Sequence, residues 1–176
     1  FDGTGAFIIS SGFPNPAGPP VAGMVGQVEA SIDTNIDGFE LNGTVMVKFS
    51  NVSVAVSDTV EIPDADDLSG PPLVIPVDVE AGPLLLVVLS GTEGNDVDGD
   101  GDDDVELTIA GQTLFATEIR FEQQTGATGA KIVKASVRGL GFIITSGGDE
   151  LFRLQNIDGD LLVTPQGIAG RLTVTD

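Results

Sequence analysis

Thr44-Val45-Met46-Val47-Lys48-Phe49 decides the fold class. Extended chain places Val45, Val47 and Phe49 on one side and Thr44, Met46 and Lys48 on the other, whereas a helix would scatter them around its axis. The same alternation recurs outward in both directions. Asn51 to Val56 sets Val52, Val54 and Val56 against Ser53 and Ala55. Leu73, Ile75, Val77 and Val79 repeat it, Val105, Leu107 and Ile109 follow, and Phe115, Thr117, Ile119 and Phe121 read as one further strand. Shorter β-prone runs lie at 6–10, 24–32, 84–89, 131–137, 141–145, 151–155, 160–164 and 168–174. Asp37-Gly38, Asn42-Gly43, Gly147-Gly148 and Asp158-Gly159 are hairpin or tight-turn signals between them. About a dozen short strands with close turns and no helical period predict an all-β chain. The expected form is many short antiparallel strands in an elongated β-sandwich or a β-solenoid-like repeat module, with essentially no helix. Residues 1–176 are expected to form one module, the alternative being two small subdomains, 1–80 and 81–176.

Composition narrows the chemistry. The 176 residues contain no His, Cys, Tyr or Trp, against nine Phe. Disulfides, thiolate zinc sites and nucleophile–His pairs are therefore impossible within this chain. Neither a Gly-x-Ser-x-Gly elbow nor a phosphate loop is present, so the chain is not expected to be an enzyme. Lys and Arg total 7 against 27 Asp and Glu, a formal net charge of −20, which opposes binding to nucleic acid or anionic membranes. The longest apolar runs, such as Leu84–Leu89, fall far short of the ~18 residues of a membrane span. The chain opens at Phe1 rather than Met, which leads to the expectation of a processed product or a segment of something longer.

The acids are not spread evenly. Residues 96–104 read Asp-Val-Asp-Gly-Asp-Gly-Asp-Asp-Asp, six carboxylates in nine positions. Clustered carboxylates repel one another unless a cation lies among them. The spacing Asp96-x-Asp98-x-Asp100-Gly101 is that of the first half of an EF-hand loop: hard oxygen donors on alternate residues, and a Gly for the sharp turn. Asp102 and Asp104 continue the register, but the twelfth position is Leu107, with Glu106 one residue early. Strands rather than helices flank the run. The expectation is a strand–loop–strand Ca²⁺ site using Asp96, Asp98, Asp100, Asp102, Asp104 and Glu106. A second, weaker set with the same spacing is Asp33, Asn35 and Asp37, and Asp64, Asp66 and Asp67 form a third acidic stretch. An acidic, Lys-poor surface is also a halophile pattern, but clustering favours coordination over general acidity.

Two words of sequence echo each other. Gly5 to Ser10 followed by Val21 to Val25 resembles Gly159 to Thr164 followed by Ile168 to Leu172, the first copy carrying a Pro-rich insert from Phe13 to Pro20. Such an echo would make the chain slightly more than one period of a tandem array. Ala81-Gly82-Pro83-Leu84, Leu107 to Leu114, Phe121-Glu122-Gln123 and Leu161 to Leu172 are similar to words in the long tandem repeats of giant secreted or surface, adhesin-like bacterial proteins. The resemblance covers mainly the second half of the chain and implies repetitive extracellular β structure without catalytic residues. The resulting expectation is an extracellular or cell-surface structural module, filament-forming or part of an adhesin stalk, rigidified by calcium. Its partners would be copies of itself, joined head-to-tail or laterally. The alternative is a calcium-dependent module that binds surface glycans.

Overall fold

A computed structural model describes residues 2–36, 39–63, 70–125 and 129–175. These residues contain no helix. In chain order the strands are β1 (Asp2–Phe13), β2 (Val21–Ile36), β3 (Phe39–Ser50), β4 (Val56–Ile62), β5 (Leu73–Val79), β6 (Leu84–Ser90), β7 (Val105–Ile109), β8 (Gln112–Ala116), β9 (Glu118–Thr125), β10 (Lys131–Ser146), β11 (Asp149–Thr164) and β12 (Gly167–Val174). A ten-stranded sheet runs β1-β2-β3-β6-β9-β10-β11-β12 with β7 and β8 off this path, and β4-β5 form a separate ribbon. Every pairing is antiparallel.

The large sheet is a meander whose fourth and fifth positions are each built from two collinear pieces. β3 pairs β6 through 44–50 and β7 through 39–42, in the same direction. β10 likewise pairs β9 through 131–138 and β8 through 141–143. The chain leaves this meander twice: residues 51–83 carry the β4–β5 ribbon, and residues 91–104 form the acidic loop between β6 and β7.

Alternation sorts the sheet's side chains onto two faces. On one, Ala6, Val25, Leu84, Leu86 and Val88 are buried beneath the ribbon residues Val56, Ile75, Val77 and Val79, and this is the molecule's apolar core. Farther along that face the side chains become ionic. Glu122 lies between Arg120 at 3.1 Å and Lys134 at 3.2 Å, and Asp160 between Arg138 at 2.7 Å and Arg171 at 3.1 Å. On the other face the ladder from β1 to β12 brings Phe7, Val28, Val47, Val87, Phe121, Ala135 and Leu161 into one band.

A row of irregularities crosses the sheet beside the acidic loop. The β10–β11 register shifts at Val137/Leu140, and Gly139 and Asn156 take φ values of +61° and +60°. Between β8 and β9 the Thr117 N–H donates to the Arg138 carbonyl. Bulges of this kind reverse the facing of the residues beyond them. Phe115 is therefore buried on the ribbon side of the sheet while Ile119 and Phe121 face the other way, which corrects the reading of 115–121 as one alternating strand.

Other local expectations also change. Asn51–Val56 is not a strand; it is an irregular connection whose Val52 is fully buried, and the strand starts at Val56. Asn42-Gly43 and Asp158-Gly159 lie inside β3 and β11 rather than at turns. Glycine is needed there for close approach: a Cβ on Gly43 would strike Val105 and one on Gly159 would strike Leu172. Runs 131–137 and 141–145 merge into β10, as 151–155 and 160–164 merge into β11. Gly147-Gly148 does make the turn between these strands, with both φ values positive. Asp37-Gly38 lies outside the described residues.

Candidate metal centre

The acidic loop is closed at its neck by backbone. Asn95 N–H donates to the Thr92 carbonyl (2.9 Å), and Asp104 N–H to the Asn95 carbonyl (2.6 Å). The Asn95 side-chain amide donates to the Asp104 carbonyl at 2.9 Å, and Gly94 N–H to the Asp103 carboxylate at 2.8 Å. Gly91 packs directly on the backbone of Asp103 and Asp104, where no Cβ would fit. Inside the neck the carboxylates hold the turn: Asp96 accepts from the Gly99 and Gly101 N–H groups (2.7 and 3.2 Å), Asp98 from Asp100 (3.2 Å) and Asp100 from Asp102 (2.9 Å). Gly99 and Gly101 adopt φ values of +83° and +97°, which L side chains rarely take.

This folding brings Asp96, Asp98 and Asp104 together, one carboxylate oxygen from each lying within 4.8 Å of the others. Asp104 is 2% exposed, and its Oδ2 accepts from Val97 N–H at 3.0 Å. Burial, followed by the charges of Asp98, Asp100 and Asp96, pushes its carboxyl up to about 6, against the lowering effect of the Val97 N–H. Asp98 is also raised, first by burial and then by Asp100 and Asp96. An opposing charge comes from Arg153 of β11, whose guanidinium donates to the Val97 carbonyl at 3.5 Å.

The remaining expected ligands are not members of this trio. Asp100 and Asp102 are exposed, and Glu106 is on β7, accepting from Thr108 Oγ1 at 3.1 Å. In the second set, Asp33 and Asn35 belong to the β2–β3 ladder, opposite Asn42 and Glu40, rather than to a loop. Asp37, like Asp64, Asp66 and Asp67, lies outside the described residues. Sequence reading passed over Asn95 and Asp103, which close the neck. Their only signal is their position just outside and inside an alternating acidic register.

The trio fits a hard divalent cation in donor type, since it offers carboxylate oxygens alone on a loop that can turn around an ion. Asp96, Asp98 and Asp104 would hold it, and the ion would supply the positive charge that the cluster lacks. No family model, no curated protein and no solved structure matches this chain.

Proposed function

We propose that the chain is an extracellular structural module whose acidic loop is rigidified by Ca²⁺ and which assembles with copies of itself, in the manner of the surface-protein repeats it resembles. The single observation that carries the calcium reading is the convergence of Asp96, Asp98 and Asp104 with Asp104 buried. A carboxyl removed from water and ringed by others gains most from a cation when ionised. The loop also joins two collinear strands. An ion there stiffens the sheet's interior at its row of bulges, a mechanical rather than a chemical role.

The test is thermal unfolding in Ca²⁺, in Mg²⁺ and in chelator at constant ionic strength. The expected result is a melting temperature that rises with Ca²⁺, much less with Mg²⁺, and not at all in Asp98→Asn/Asp104→Asn. Equal shifts with either ion, or an unchanged double variant, would assign the effect to general screening and overturn the calcium role.

A further inference from the structure

We infer that the sheet face opposite the β4–β5 ribbon is a self-association surface, closed in solution by the same face of a second copy of this chain. This deepens the assembly half of the proposed function and is independent of its calcium half.

The face is unusually apolar. Among the described residues twenty large apolar side chains are exposed, and only Ile62, Leu73, Val74, Leu151 and Leu162 lie elsewhere, leaving fifteen on this one side. They run from Phe7 on β1 through Phe121 on β9 to Leu172 on β12, with Leu172 74% exposed. Both excursions of the chain rise from the opposite side. The β4–β5 ribbon packs there on Val25 and Leu86, and Val97 of the acidic loop meets Arg153, which the ladder places on that side.

Charge on this face does not oppose a second copy. Among the strand carboxylates, Glu29, Glu40, Glu106, Glu118, Glu122 and Asp160 fall on the ribbon side of the ladder. Two chains of formal charge −20 can therefore close on the apolar face without bringing these six carboxylates together. The area also suffices. Eight strand positions spaced ~4.8 Å apart, each spanning about seven residues at ~3.3 Å, give about 900 Å², comparable with the ~800 Å² per partner of a stable interface. It also exceeds the ~300–600 Å² of the largest patch on a typical monomer. Relief is complementary end to end. Small Ala135, Gly159 and Gly170 floor a shallow hollow of about 630 Å³ near β12, while Phe7 and Ile9 stand proud beside Gly5 and Gly26 at the β1 end. A two-fold axis along the strands places each β1 end over the partner's hollow, an isologous contact of two sheets about 10 Å apart.

The experiment is sedimentation equilibrium with small-angle scattering on the full chain across micromolar concentrations, in Ca²⁺ and in chelator. It compares the natural chain with Leu161→Glu and Leu172→Glu on the apolar face and with Leu162→Glu, the neighbouring exposed residue on the other face. Circular dichroism verifies that each variant folds; Leu172→Glu, at an exposed edge, guards against loss of Leu161→Glu to misfolding. Expected are a compact face-to-face dimer for the natural chain and for Leu162→Glu, and monomers for the other two. A monomeric natural chain, an elongated edge-to-edge dimer, equal effects on both faces, or a monomer that floats with zwitterionic vesicles would each overturn the inference. A calcium-dependent melting shift that survives any of these outcomes leaves the calcium role standing.

Discussion

Along β6, Leu84, Leu86 and Val88 are buried beneath the ribbon, while Leu85, one position out of phase, is exposed on the opposite face. The two sets are chemically alike, drawn from one strand with apolar residues on both sides. One set has become core because a hairpin some thirty residues long returns over it; the other has no cover within the chain. Burial is thus a property of what lies above a strand, not of the strand's own pattern. The acidic loop teaches the same lesson in polar form. Asp100 and Asp104 belong to one alternating run, yet only Asp104 is carried into the interior.

The sharpest way to break this comparison is to truncate the two faces of β6 in parallel. Leu86→Ala should cost about 2–5 kcal/mol in denaturant unfolding, since it opens a cavity in packed core. Leu85→Ala should cost the dissociated chain less than about 1 kcal/mol, because its side chain already meets water. Equal costs would mean that the apolar face is packed after all.

The next effect is pH dependence in chelator. The folded-state value of Asp104 is raised to about 6, so the folded chain holds its proton more tightly than the unfolded chain does. Stability should therefore be greatest below about pH 4 and fall as pH rises through about 6, by at most about 3 kcal/mol for this group. Asp104→Asn should flatten that slope, and Ca²⁺ should do the same in the natural chain. Calorimetric melting between pH 4 and 7 checks both.

The bulge row predicts a smaller loss. Gly139→Ala places a Cβ at φ +61° against Thr117, and should cost about 1–2 kcal/mol in chemical denaturation. The ionic part of the ribbon-side face predicts the smallest. Burial pushes Glu122 up, but hydrogen bonds from Arg120 and Lys134 outweigh it and hold the carboxyl below its usual range. Its stabilisation is present above the unfolded value and disappears as pH falls through the folded one. Glu122→Gln should then lower stability by about 1 kcal/mol at pH 7 and leave it unchanged near pH 3, Lys134 being largely solvated.

The all-β, antiparallel character was legible from the alternation at 44–49, 73–79 and 105–109, because period two is imposed by the pleat itself. The acidic loop between strands was legible for a related reason: six carboxylates in nine residues cannot enter an apolar core. Bulges were not legible. Thr117 reads as one more alternating strand position and Gly139 and Asn156 as ordinary breaks between strands, and their effect depends on their coming together across three strands. Nor could sequence separate turn glycines from packing glycines. Gly147-Gly148 makes a hairpin, whereas Gly43 and Gly159 make room for side chains more than ten residues away.

Alternation by itself determined which side chains share a face, since neighbouring residues of a strand point opposite ways whatever surrounds them. Which of the two faces is covered, and which three of the clustered aspartates converge, was decided only by tertiary structure. Both depend on where two long excursions return to the sheet, and no local pattern records that.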